Sequence, residues 1–121
     1  MDSTRGHIFQ AETILNNTNT QLQELLIKLA TSIEIFPGFL DMDTVQAIEL
    51  EPIVGFPDRG CLVVTPEGFL KEMVLSILPG ATTLGGYEQS EQLKDLDLPS
   101  DEETVYLYRA INVLVEWLHA N

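Results

Sequence analysis

Gly60-Cys61-Leu62-Val63-Val64-Thr65-Pro66-Glu67-Gly68-Phe69-Leu70-Lys71-Glu72-Met73-Val74-Leu75-Ser76-Ile77 is the stretch on which the fold turns. Its first part, Gly60 to Thr65, is a short run rich in β-branched residues, fit for a strand buried on both faces. Pro66-Glu67-Gly68 makes a tight connection. The return, Phe69 to Ile77, reads two ways. Leu70, Met73, Val74, Ile77 and Leu78 keep helical spacing, with Thr65 as cap and Pro66 at the first helical position. A helix would carry Gly68 in its first turn, however, and a three-residue connection directly after a strand favours a hairpin. Phe69, Met73, Leu75 and Ile77 then share one face, interrupted only by Lys71. The strand reading is preferred, and it makes the chain α+β.

Upstream, Ile48-Glu49-Leu50-Glu51 alternates apolar and acidic residues as a half-exposed strand does, and Pro52 ends it. Gly55-Phe56-Pro57-Asp58-Arg59-Gly60 is dense in turn residues. Residues 45–78 therefore read as an antiparallel meander of about three strands. Residues 79–99 lose the pattern: Pro79-Gly80 and Gly85-Gly86 are turns, and Tyr87 to Asp97 reads as an acidic loop. Residues 100–120 read as an amphipathic helix. Ser100 stands as a cap with Glu103 three positions on, and Val105, Tyr108, Ile111, Leu114, Val115 and Leu118 make one apolar stripe.

The N-terminal element, residues 4–34, reads as one long helix. Ile8, Ala11, Leu15, Thr18, Leu22, Leu25, Leu29 and Ser32 recur in the three-and-four step of a heptad seam, and Pro37-Gly38 stops it. Asn16-Asn17-Thr18-Asn19-Thr20 are poor helix formers, and Thr20 with Gln23 offers a second capping box. Because the apolar frame keeps its phase across them, a continuous helix is preferred. Such a helix runs on the order of 45 Å, more than the diameter of so small a domain, so one end projects or pairs with a second copy in a homodimer. The whole chain, 1–121, is expected to be a single domain with the C-terminal helix packed on the sheet.

Charge decides which functions are excluded. The chain holds 19 Asp and Glu against 6 Lys and Arg, a net charge of −13, with 45% apolar residues, the mark of a folded domain with an anionic surface. Six scattered cations cannot make the basic stripe that nucleic acid needs. No apolar run approaches the roughly 20 residues of a membrane span, and the N-terminus lacks the basic and apolar segments of a signal peptide. The single cysteine, Cys61, lies in an apolar run and reads as a small buried hydrophobe in a reducing, cytoplasmic setting.

Catalytic and metal chemistry find little footing. His7 and His119 sit near opposite chain ends and could meet only if the terminal helices lie side by side; no nucleophile elbow accompanies them. Asp41-Met42-Asp43 and Asp95-Leu96-Asp97 pair carboxylates, but position six after Asp41 is Gln46 where a calcium loop needs glycine. No catalytic residue, metal ligand or cofactor is assigned.

Protein binding remains. Phe36, Phe39, Phe56 and Tyr87 stand in turn-rich places beside Asp41, Asp43, Asp58 and Glu88, candidates for an apolar landing surface with an acidic rim; the alternative is that they cover the core under loops. The layout resembles the small acidic chaperones of bacterial secretion systems. The parallels are Leu22-Gln23-Glu24-Leu25-Leu26, Arg59-Gly60-Cys61-Leu62-Val63-Val64 and Ala110-Ile111-Asn112-Val113-Leu114-Val115-Glu116-Trp117-Leu118, without that family's usual second helix and second pair of strands. Asp58 to Gly68, followed by Leu78-Pro79-Gly80, is also similar to small acidic cyanobacterial accessory proteins, and that likeness implies a client in photosynthetic or carboxysome assembly. The expected function is a non-catalytic accessory or assembly chaperone that captures a basic or amphipathic tail of another protein on a sheet edge or between the terminal helices. The alternatives are a structural subunit of a larger complex, a small enzyme or a metal-binding protein.

Overall fold

The computed structural model describes residues 3–41, 45–79 and 87–120, with side chains for 4–40, 45–75 and 92–120. Helix α1 (Ser3–Thr31) leads through a single 3-10 turn (Phe39–Asp41) into four strands. These are β1 (Ile48–Glu49), β2 (Cys61–Val64), β3 (Leu70–Pro79) and β4 (Tyr87–Asp95), and α2 (Ser100–Ala120) closes the chain. The sheet is antiparallel throughout, in the order β1-β2-β3-β4. The fold is α+β, and the stretch after Gly68 is a strand.

The sheet has four strands where three were expected. The fourth, β4, occupies residues 87–95 of the segment 79–99 that was expected as an acidic loop. Tyr87-Glu88-Gln89-Ser90-Glu91-Gln92-Leu93-Lys94-Asp95 has almost no apolar alternation to announce a strand. It is held by backbone pairing with β3 from Lys71↔Asp95 to Pro79↔Tyr87, and pairing context overrides weak propensity. Residues 74–79 of β3 pair with β4 alone, so this hairpin extends past the end of β2. The expected turn glycines Gly80, Gly85 and Gly86 lie outside the described residues, as does Asp43.

Helix α1 is continuous through Asn16–Thr20, and the asparagines are structural. Asn19 is 5% exposed; its Nδ2 donates to the Ser100 carbonyl at 3.0 Å, and its Oδ1 accepts from the Thr104 hydroxyl. Ser100 Oγ donates to Asn16 Oδ1 at 3.0 Å. What these residues lack in helix propensity they return as an anchor for the start of α2. At the other end, Ser32, Ile33 and Ile35 share a cavity with Trp117 and Leu118. The two helices therefore lie side by side and run parallel, with α2 beginning level with Asn16. Ser32 and Ile33 donate to Leu29 and Ala30 in tight closing turns, so α1 ends a little before the expected Glu34.

Two apolar clusters sit on the two faces of the sheet. On the helix side, Leu26, Ala30, Leu107, Ala110, Ile111 and Leu114 pack with Phe36, Leu50 and Val64. On the opposite side, Phe39 and Ala47 cover Val63 and Met73. Strand β2 is thus buried on both faces, as its composition indicates, each of Leu62, Val63 and Val64 contributing about 1.5–3 kcal/mol by removal from water.

The β2–β3 turn is fixed onto α1 at Gly68. Its φ of +88° suits glycine, and an added Cβ would lie 2.5 Å from Ile27 Cα. Gln23 Nε2 donates to the Gly68 carbonyl at 2.6 Å, and Gly68 N–H closes the turn onto Thr65. This contact sets how the sheet sits against the helices.

Candidate functional site

The aromatic residues singled out by the sequence are dispersed. Phe36 and Phe39, 5% and 3% exposed, are buried in the two different clusters on opposite faces of the sheet. Phe56 is half-buried, its ring centroid 6.3 Å from that of Tyr106, and it lines a small pocket of about 270 Å³ together with Asp58. Asp58 Oδ1 accepts the Gly60 N–H at 2.8 Å and shapes that turn. Beside it, Arg59 makes two parallel 2.9 Å bonds to the buried Glu102, which keep the guanidinium charged and tie the turn to α2. Tyr87 and Glu88 belong to β4 and Asp41 to the 3-10 turn, with side chains outside those described. Among the described candidates, Phe56 and Asp58 are brought together; Phe36 and Phe39 are not.

The reactive side chains do not converge. Because α1 and α2 run parallel, His7 and His119 stand at opposite ends of the helix pair. Cys61 lies on the sheet face away from the helices, next to Val63 and Met73. Burial, reinforced by the carboxylates of Glu49 and Glu72, pushes its thiol up and holds it protonated. Among the described residues no three His, Cys, Asp or Glu side chains gather as a metal site would require.

A groove that the sequence did not reveal lies between β1 and α2. It encloses about 640 Å³ and is lined by Glu49 and Glu51 on one wall and Val105, Tyr108, Arg109, Asn112, Val113 and Glu116 on the other. The helical wall follows from spacing: Val105, Tyr108, Arg109, Asn112 and Glu116 fall on one face of α2, away from buried Leu107, Ala110, Ile111 and Leu114. Tyr108, expected in the core stripe, is 64% exposed here, and Tyr106 is buried in its stead. Helix α2 carries more apolar residues than one buried stripe can hold, and that surplus was the available signal.

The strand wall has an open edge. β1 is the outermost strand and pairs only with β2. Since Leu50 N–H bonds inward to the Leu62 carbonyl, the neighbouring N–H and C=O of Glu49 point outward by antiparallel alternation. This edge already accepts a strand-like segment further up: Gly38 bridges Gln46, and Ala47 N–H donates to the Pro37 carbonyl at 3.2 Å before that segment turns away. Arg109 Nη1 donates to the Glu51 carbonyl at 3.3 Å and closes the lower end. The open stretch centres on Glu49. The exposed Glu51 and Glu116 line it with the Arg109 guanidinium, while Glu49 offers its outward backbone and its carboxylate reaches Cys61 on the other sheet face.

The opposite edge strand, β4, carries Glu88, Glu91, Lys94 and Asp95, the charged sequence with which an edge discourages pairing. A second hollow of about 530 Å³ joins Phe69, Leu70, Leu96 and Leu98 to Asp97 and Glu103, with Lys71 held at 2.6 Å by Asp95. Of the edge strand β4, only Asp95 lines it. Compared with known proteins, the chain matches no family model, no curated protein and no solved structure.

Proposed function

We propose that this chain is a non-catalytic protein-binding module, an accessory or assembly chaperone of the cytoplasm, that captures an extended apolar segment flanked by basic residues in the β1–α2 groove. The observation that carries this reading is the juxtaposition of the outward Glu49 backbone with the exposed Tyr108 ring and a carboxylate rim. A bound strand continues the ladder where residues 36–38 leave it, exchanging backbone bonds with Glu49. Its apolar side chains pack on Val105, Tyr108 and Val113, while lysine or arginine at its ends meets Glu51 and Glu116. The net charge of −13 steers a basic segment toward the body and repels anionic ones. The sheet edge is favoured over a cleft between the terminal helices because those helices pack directly on each other through Leu26, Ala30, Ala110 and Leu114.

The test is fluorescence anisotropy with a labelled short peptide alternating valine and lysine, titrated with protein at low and high salt. Binding is expected to weaken as salt screens the rim, to fall on Tyr108→Ala, and to fall on Glu51→Lys with Glu116→Lys. Glu49→Pro removes one outward N–H from an edge strand, which tolerates it, and is also expected to weaken binding. Affinity unchanged in all these variants would contradict the assignment of the groove.

A further inference from the structure

We infer that the first half of α1 is a self-association element, through which two copies pair as an antiparallel helical dimer. Every described side chain from Thr4 to Ile14 is exposed, including Ile8, Phe9 and Ile14 at 55%, 72% and 56%. This part of α1 projects beyond the level of Asn16, where α2 begins. Its apolar line Ile8, Ala11, Leu15 continues the line Leu22, Leu26, Leu29 that packs on the body. A second α1 fills, along the projecting half, the place that α2 fills along the rest.

Charge selects a second copy as the occupant. The chain is −13 overall, yet between Thr4 and Thr18 its only Lys, Arg, Asp or Glu residues are Arg5 and Glu12, so the segment carries no net charge. It is the stretch of helix on which two acidic bodies approach without repulsion, and it offers a basic partner nothing to recognise. Charge also sets the orientation. With Ile8 and Ala11 of one copy layered on Ala11 and Ile8 of the other, antiparallel helices bring Arg5 of each near Glu12 of its partner. A parallel pair sets Arg5 level with Arg5 of the other copy and draws the two anionic bodies together. In the antiparallel arrangement the bodies leave in opposite directions. The acids of the first turn of α2, Asp101 and Glu103, then face the partner's α1 N-terminus, whose first turn has no acid.

Sedimentation equilibrium on the whole chain, from about 20 µM to about 1 mM, tests the association. A concentration-dependent monomer–dimer equilibrium is expected, tightening with salt as body repulsion is screened. Arg5→Glu is expected to weaken it roughly ten-fold by turning two attractive pairs repulsive, and Arg5→Glu with Glu12→Arg to restore it. Arg5→Glu suits a helix N-terminus, so the loss is not explained by melting of α1, and circular dichroism checks that helicity is kept. Nitroxides at Glu24→Cys in a Cys61→Ser background should lie about 45 Å apart in the antiparallel dimer, against about 15 Å in a parallel one. A monomer across the whole range, an unaltered equilibrium for Arg5→Glu, or the short distance would overturn the inference.

Discussion

Substituting Gly68→Ala is the most informative single perturbation of this fold. The residue sits at φ +88°, and a methyl group there would meet only main chain: Ile27 Cα at 2.5 Å, Ile27 N at 2.9 Å and Leu26 O at 3.1 Å. A left-handed conformation costs an L-residue about 1–2 kcal/mol. Contacts under 3 Å with helix backbone cannot be relieved by a rotamer change, so the turn must lift from α1, adding about 1–3 kcal/mol of overpacking. Lifting also stretches the 2.6 Å bond from Gln23 to the Gly68 carbonyl. The sum, about 2–5 kcal/mol, is a large part of the stability of a domain this size. At about 4 °C per kcal/mol it lowers the melting temperature by about 8–20 °C.

Gly55→Ala supplies the control. Its φ is +98°, but nothing stands within 4 Å of the added carbon, so only the conformational cost of about 1–2 kcal/mol applies. Thermal and urea unfolding of both variants should separate the two contributions. Equal destabilisation of Gly68→Ala and Gly55→Ala would refute the packing of the β2–β3 turn on α1.

Two further outcomes are expected. Asn19→Ala removes a buried side chain that bonds both Ser100 and Thr104, and should cost about 1–3 kcal/mol, with faster amide exchange in the first turn of α2. The Cys61 thiol is raised in the fold by burial and by Glu49, so its contribution is complete below the ordinary thiol value of 9.0 and is lost as pH climbs through the folded value. Stability followed from pH 7 upward should therefore fall less steeply for Cys61→Ala than for the native chain, and disulfide reagents should label native Cys61 more slowly than a free thiol.

How far the sequence disclosed these features differs by element. Leu62-Val63-Val64 announces a strand wanted by both sheet faces, and Gly68 argues against the competing helix because the turn there needs a left-handed residue. Asn16 and Asn19 look like helix breakers until their partners in α2, more than 80 residues away, are known. Strand β4 was hidden because its stability comes from register with β3 rather than from alternation of its own. Tyr106 and Tyr108 are chemically alike and two positions apart, so only the tilt of α2 on the sheet decides which is buried. The groove escaped for a related reason: its walls, around Glu49 and Glu116, come from distant parts of the chain, and the outward direction of a strand edge is invisible until its neighbours are placed.

Amide hydrogen exchange at Glu49, read by NMR with and without saturating valine–lysine peptide, tests the capture mode most directly. The outward Glu49 N–H is expected to slow by at least about ten-fold when the peptide is bound, together with shifts at Tyr108 and Val113. Binding that left the Glu49 amide exchanging at its free rate, with perturbations gathered instead around Phe69 and Leu98, would contradict strand addition at β1.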